Sequence, residues 1–347
     1  MPETEDRSPR RHQPPRERRA ERDRSTHPPR LPRPPRSPRA LHAGRAAPDD
    51  IAPADVGVLL NEAASGAPPD LTDARVVLRL LRHHHLRPNK GFGQHLLVDR
   101  AALDAMVAAA ELAADDAVLE VGAGMGVLTV ALAGHARRVV AVELEREILP
   151  VLRENTARFT NVEVIERNLL AVQPDAIFGA EPYKLVANLP YSITAATLRH
   201  FLEAPSRPTR LVVMVQREVA LRLVAAPGDL SLLGLSVQFY GHPELVRVVP
   251  AASFYPPPKV DSAIVRISVY PQPPLDPEMR DVLFGIARAG FAERRKQIHN
   301  TLTRNLQTPR ATIEEWLARA GIAPMRRAET LSVEEWVRLA RIARGQV

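Results

Sequence analysis

A chain of 347 residues with 47 lysines and arginines against 40 acidic residues carries a formal charge of +7 and no cysteine. The length allows one large domain or two of ordinary size. The missing cysteines exclude disulfides, thiolate zinc sites, iron–sulfur clusters and a cysteine nucleophile.

The charge is uneven. Residues 1–50 hold 13 arginines against 8 acids, a net +5; residues 51–275 sum to −2 and residues 276–347 to +4. Residues 1–50 also contain 11 of the 33 prolines, in runs such as Arg30-Leu-Pro-Arg-Pro-Pro-Arg36. Such a segment cannot bury enough apolar surface to offset its ordering entropy. It is expected to form, with residues 51–71, a disordered Pro/Arg-rich arm and linker that serves solubility more than RNA tethering. It lacks the apolar stretch of a secretory signal, and no apolar run in the chain approaches the roughly 18–20 residues of a membrane span.

Regular structure begins at Asp73, a predicted N-cap for a helix over 74–86 with Val76, Val77, Leu80 and Leu81 as its apolar stripe and Pro88 beyond its end. His83, His84 and His85 are consecutive on this helix, so their side chains diverge by about 100° each and cannot converge on one metal.

Ala117–Val121 then reads as a short buried strand, followed by Gly122, Gly124 and Gly126 in a tight turn and by a helix start over Val127–Ala133. A second strand, Arg138–Glu143, ends in an acid that lies 21 residues after Gly122. A βαβ unit with an acid at the tip of its second strand suits a ribose hydroxyl pair. The spacing is Gly-x-Gly-x-Gly rather than the dinucleotide Gly-x-Gly-x-x-Gly, and Glu120 stands just before the turn. A carboxylate there repels pyrophosphate but can orient an ammonium group. Both features favour S-adenosylmethionine.

Tyr183–Asn188 reads as a buried strand leading into Asn188-Leu-Pro-Tyr191. In an open α/β sheet this places the tetrapeptide at the carboxyl end, beside the cofactor. Adenine N6 is a poor nucleophile because its lone pair is delocalised into the ring. Two acceptors aimed at its N–H bonds, the Asn188 side-chain oxygen and the Leu189 carbonyl, favour a pyramidal nitrogen. Pro190 stiffens the turn, and Tyr191 offers a stacking face to an extruded base. Catalysis by alignment and preorganised dipoles needs no strong general base and no metal.

Residues 276–347 read as a helical module. Glu278–Gly290 is one helix, and Thr312-Ile-Glu-Glu-Trp316 and Ser332-Val-Glu-Glu-Trp336 look like two capping-box helix starts. Trp316 and Trp336 are expected to anchor the core. Arg294, Arg295, Lys296 and Arg304 are candidates for RNA phosphate contacts.

Together these segments resemble the ribosomal RNA adenine N6,N6-dimethyltransferases, over about residues 75–345. Besides the glycine turn and Asn188–Tyr191, the resemblance rests on Asn89-Lys-Gly-Phe-Gly-Gln-His-Leu-Leu97, Val213-Met-Val-Gln-Arg-Glu-Val-Ala220 and Phe254-Tyr-Pro-Pro-Pro-Lys-Val-Asp-Ser262. It rests further on Phe291-Ala-Glu-Arg-Arg-Lys-Gln-Ile-His-Asn-Thr-Leu302 and Arg327-Ala-Glu-Thr-Leu-Ser332. It implies an α/β fold: a Rossmann-like S-adenosylmethionine-dependent methyltransferase domain over 72–275, with a smaller all-helical RNA-binding domain over 276–347.

It further implies that His95, Leu97, Gly122, Gly124, Glu143, Asn168 and Asn188 bind the cofactor, and that Phe254 stacks on the target adenine opposite Tyr191. Two positions depart from the family's usual pattern: His95 stands where Asn is common, and Asn168 where an acid faces the adenine amino group. The implied reaction dimethylates two adjacent adenines near the 3′ end of small-subunit (16S) ribosomal RNA. The implied enzyme is a cytoplasmic monomer acting on immature small subunits. The alternatives are the related large-subunit enzymes of antibiotic resistance, which usually have Ile in place of Leu189, and a non-catalytic RNA-binding factor on the same fold.

Overall fold

The computed structural model describes residues 69–86 and 95–345. The arm at residues 1–50, most of the linker, Pro88 and the first residues of the 89–97 motif lie outside them. Asp73 caps helix α1 (Ala74–His83) by accepting the Arg75 N–H at 2.8 Å. The helix stops three residues short of the expected end. His85 takes a left-handed φ of 54°, and the N–H groups of His85 and Leu86 close back on Arg82 and Leu81. That 5→2 and 6→1 pairing is a Schellman stop, here built without glycine.

The centre is a seven-stranded sheet of β2 (Ala117–Val121), β3 (Arg138–Glu143), β4 (Val162–Glu166), β5 (Tyr183–Asn188), β6 (Arg210–Gln216), β7 (Gly241–Val249) and β9 (Ser262–Val269). Its order is β4-β3-β2-β5-β6-β9-β7. The first five strands run parallel, and β9 pairs antiparallel with both β6 and β7. The strand and helix limits read from the sequence for 117–143 and 183–188 coincide with those in the fold.

These strands read as near-continuous apolar runs because both faces are covered. On β2, β5 and β6 the residues Leu119, Leu185 and Val213 enter one core cluster, while Val118, Val186 and Val212 enter another on the opposite face. The second face carries α2 (Arg100–Ala110) and α3 (Val127–Ala133), through Met106 and Leu128; α4 (Leu149–Thr156), α5 (Pro174–Phe178), α6 (Thr194–Leu202), α7 (Arg217–Leu223) and α8 (Leu232–Gln238) follow in chain order. Glu120 shares the parity of Val118 yet is an acid, 1% exposed. That exception marks the site.

The first cluster runs on without a break into the C-terminal helices α9 (Pro277–Phe291), α10 (Ile298–Leu306), α11 (Arg310–Arg319) and α12 (Val333–Ala343). Asp276 caps α9. Trp336 is buried, stacks on Phe291 and lies against Gly290, where an added Cβ would come within 2.6 Å of its ring. Trp316 packs partly buried on the same cluster, so both tryptophans serve the core.

Of the two expected capping boxes only that of Ser332 and Glu335 forms. Thr312 lies inside α11, because Ile313 N–H already bonds the Pro309 carbonyl and the helix starts one turn earlier. Proline suits that start, since its missing N–H would have no partner there. Among the described residues no helix is long and apolar enough to cross a membrane, and no cluster of His, Asp and Glu could hold a metal.

Candidate active site

Strand order reverses between β2 and β5: β3 and β4 extend to one side, and β5 and β6 to the other. A crevice opens at the carboxyl ends of strands at such a reversal. Here it is a cavity of about 400 Å³. Its walls include His95, Leu97, Gly122, Gly124, Glu143, Asn168, Asn188, Leu189, Pro190 and Tyr191. The fold thus brings together ten of the eleven cofactor and target positions expected from the sequence.

The glycines make the approach possible. Gly122, Gly124 and Gly126 have φ of 75°, 56° and 90°, the region that L side chains rarely adopt. At Gly126 a Cβ would meet Leu152 at 2.8 Å as well.

Glu143 is fixed by backbone donors. Its Oε2 accepts from Gly124 N–H at 2.8 Å, and its Oε1 from Leu144 and Glu145 N–H at 2.7 and 2.9 Å. A carboxylate has about four lone-pair sites, so one on Oε2 stays free for a further donor.

Glu120 is the reverse case. It lines the cavity, yet its Oε2 and the nearby Thr129 Oγ1 are buried with no hydrogen-bond partner. Burial pushes its carboxyl up to about 8; Thr129 opposes that shift, and the charge of Glu143 adds to it.

Asn188 is oriented by its amide nitrogen, which donates to the His95 carbonyl at 3.3 Å. A carbonyl can only accept, so the NH₂ end must face it, and Oδ1 remains the free end. The Leu189 N–H donates to Met214 O at 3.1 Å, while the Leu189 carbonyl accepts no bond among the described residues. Two acceptors therefore stand unused at the tip of β5. Tyr191 is held by its hydroxyl, 2.7 Å from Ser262 Oγ, and burial pushes its phenol up. Asn168 Oδ1 caps the following turn by accepting from Leu170 N–H at 3.0 Å, which leaves one lone pair toward the cavity.

Phe254 departs from expectation. It lies on β8 (Phe254–Tyr255), which pairs antiparallel with β1 (Leu96–Leu97), Phe254 opposite Leu97. That pairing turns its ring into the core among Val249 and Ile264, 3% exposed, and off the cavity wall.

Arg294, Arg295 and Lys296 project, exposed, from the turn between α9 and α10, and form no ion pair among the described residues. Arg304 is already engaged, with both Glu293 oxygens 3.0 Å from its Nη1. The pair is solvent-exposed and therefore weak. Sequence reasoning passed over Thr129 and Ser262. Both stand inside quoted motifs, but only the three-dimensional pairing gives them a task.

The chain is similar to proteins whose assignments agree with this geometry. Residues 85–344 match the family described as ribosomal RNA adenine dimethylase. A ribosomal RNA small subunit methyltransferase A of Dehalococcoides mccartyi is 46% identical over 275 residues, covering 79% of this chain and 94% of the relative. The crystal structure of the 23S rRNA methyltransferase ErmE is 31% identical with a TM-score of 0.59, covering 71% of this chain and 98% of that one. A dimethyladenosine transferase from Plasmodium falciparum, 24% identical, shares the fold with a TM-score of 0.62 and coverages of 73% and 98%. With three quarters of its length inside that family match, and its acceptors and glycine turn at the sheet's switch point, the chain belongs to the ribosomal RNA adenine dimethylases.

Proposed function

We propose that the protein methylates N6 of two adjacent adenines near the 3′ end of small-subunit ribosomal RNA, giving N6,N6-dimethyladenine. It acts as a cytoplasmic monomer on immature small subunits. The observation that carries this reading is the pair of unused acceptors, Asn188 Oδ1 and Leu189 O, beside a cavity with a fixed carboxylate and a buried acid that has one unpartnered oxygen.

The cavity fits S-adenosylmethionine. The orphaned Glu120 and Thr129 oxygens suit the methionine ammonium, which would hold Glu120 ionised. The free lone pair of Glu143 suits the ribose hydroxyls, and Asn168 Oδ1 suits the adenine amino group. When bound, the cofactor supplies the electrophilic methyl of its sulfonium.

The protein's own part is alignment. Asn188 Oδ1 and Leu189 O accept the two N6–H bonds of the target, so that the N6 lone pair turns out of conjugation. Once N6 had taken up that methyl, with the sulfur keeping the electron pair of the broken S–C bond as a neutral thioether, one of these protons would become acidic and leave to water. Tyr191 stacks on the base, its tilt set by Ser262. Phe254 reaches the opposite face only by leaving its core position. Arg294, Arg295 and Lys296 contact RNA phosphates, with Arg304 joining at the expense of its exposed pair with Glu293. On this reading residues 72–275 carry the chemistry and 276–347 the docking.

The higher identity to the small-subunit relative, and Leu189 where the large-subunit group usually has Ile, favour the small-subunit substrate. Incubation with labelled S-adenosylmethionine and either immature small subunits or large-subunit RNA, followed by mapping of modified bases, tests it. Dimethyladenine confined to the 3′ region of the small-subunit RNA is expected. Label only in large-subunit RNA would move the chain to the resistance class, and label in neither would leave an RNA-binding factor.

A further inference from the structure

His95 is the residue at which the cofactor loop meets both target-base segments. The β1–β8 ladder sets Leu96 opposite Tyr255 and Leu97 opposite Phe254. It continues one way through Val98 N–H to Ser253 O at 2.8 Å, reinforced by the Ser253 hydroxyl on Asp99 Oδ2 at 2.6 Å. In the other direction the next register position sets His95 opposite Pro256. Proline has no N–H to continue a ladder. Instead the His95 side chain bonds the Pro256 carbonyl, with Nδ1 2.7 Å from the oxygen. Since a carbonyl only accepts, Nδ1 carries the proton, whatever the state of Nε2.

The same imidazole stacks beside Tyr191, ring centroids 5.7 Å apart and planes 28° apart. The His95 carbonyl receives the Asn188 amide. One residue thus touches the acceptor turn by its backbone and by its ring face, and the 254–256 segment by its ring edge.

We propose that His95 is a positioning residue that clasps the target-base segments to the cofactor loop through Nδ1. This rests on the methyltransferase reading above and gives the side chain a task on the target side of the reaction. The δ position is the discriminating feature. An asparagine amide nitrogen sits where Nδ1 does and can make the same bond, whereas a glutamine amide nitrogen sits at the place of Nε2 and points elsewhere. All three side chains are polar and of similar bulk, so general packing does not separate them.

The test compares His95→Leu, His95→Asn and His95→Gln in the full chain. With small-subunit RNA as substrate, Leu and Gln are expected to lower kcat about 30–100-fold, the scale of a roughly 1 Å misplacement. His95 also lines the cavity, so their binding of S-adenosylhomocysteine, read by calorimetry, should weaken, but by clearly less than kcat falls. Asn should recover most of the lost kcat. Hydrogen exchange at the Val98 amide should accelerate about tenfold in Leu and Gln and stay slow in Asn. That readout needs no methyl transfer, so it tests the clasp even if the proposed reaction fails. Equal recovery by Gln and Asn, unchanged exchange in Leu, or a loss that falls mainly on cofactor affinity would overturn the proposal.

Discussion

The two ends of the same strands are built on opposite rules. At the amino ends of β5 and β6 the charges are paired. Lys184 Nζ lies 2.7 Å from Asp116 Oδ2, Arg210 reaches Glu111 at 2.5 Å, and Arg266 on neighbouring β9 joins Glu111 to Glu244. At the carboxyl ends of β2 and β5, Glu120 has an orphaned oxygen and Asn188 and Leu189 offer unused acceptors. Burying unpartnered polar groups costs free energy that folding alone would remove. At the amino ends these polar groups serve stability, whereas at the carboxyl ends Glu120, Asn188 and Leu189 keep acceptors in reserve even though Glu143 beside them is held by three backbone donors.

The sharpest way to break this contrast is Asn188→Ala. If Oδ1 is an acceptor held in reserve, its loss should lower methyl transfer by about a thousandfold, the upper scale for removing one preorganised dipole. The midpoint of thermal unfolding should move by only about 2–4 °C, since the half-buried amide makes a single 3.3 Å bond. Single-turnover rates and a melting curve on one preparation check both halves. Activity within tenfold of the native protein would remove Asn188 from the mechanism.

Glu120→Gln tests the orphaned acid through pH. The unfolded chain ionises Glu120 near 4.5, the folded protein only near about 8. Between those values the folded state holds the extra proton, so native stability falls as pH rises through the window and levels off above it. The slope for one proton is at most about 1.4 kcal/mol per pH unit. Glutamine does not titrate, so the difference between native and variant stability should grow in the variant's favour from pH 5 to pH 8, read by urea unfolding. Calorimetry near pH 7 in two buffers should show cofactor binding releasing close to one proton from the native protein and less from the variant.

Lys184→Met probes the satisfied edge. Lys184 also donates to the Glu111 carbonyl at 2.6 Å, and its side chain is 15% exposed. Removing it strands Asp116, whose carboxyl burial pushes up and whose bond from Lys184 brings down to a net value below the usual range. A stability loss of about 1–3 kcal/mol is expected, with cofactor affinity unchanged by calorimetry. A change in affinity with no loss of stability would mean that the two edges are not separate in function.

Much of this was legible in the sequence because local rules and tertiary demands agreed. Mainly apolar runs of five to six residues, stopping at Gly122, Glu143 and Asn188, gave β2, β3 and β5, and a strand buried on both faces has little freedom to begin elsewhere. The cavity wall was legible for the same reason: glycines at positive φ and an acid at a strand tip are positions where few other residues serve. The start of α11 before Thr312 and the place of Phe254 off the cavity wall were not legible, because each depends on a partner remote in sequence or on a competing local start. Pro309 begins α11 before Thr312 can cap it, and the pairing of Phe254 with Leu97 cannot be inferred from either segment alone. The bond from His95 to Pro256, 161 residues apart, left no trace in spacing at all.

The mildest change lies at the rim of the open edge. Asn168 Oδ1 already accepts from Leu170 N–H, so one lone pair remains for an adenine amino group. Asn168→Asp keeps both bonds, because a carboxylate has acceptors to spare, and it adds charge to each, which roughly doubles the strength of a hydrogen bond in a dry site but counts for less at this exposed position. The turn cap gains as well, since a negative side chain there faces the N–H groups that open the following helical turn. One cost opposes this: Glu143 and Glu145 stand on the same cavity wall, and a new carboxylate adds to their repulsion. The Glu143 charge is spread over three N–H donors and the repulsion from both acids is screened by salt at this exposed rim, so the balance favours binding. S-adenosylhomocysteine should bind about three- to tenfold more tightly to Asn168→Asp than to the native protein at moderate ionic strength, and the gain should shrink as salt is raised. Titration calorimetry at two salt concentrations reads both; weaker binding at low salt would show that acid–acid repulsion governs this rim and that asparagine relieves it.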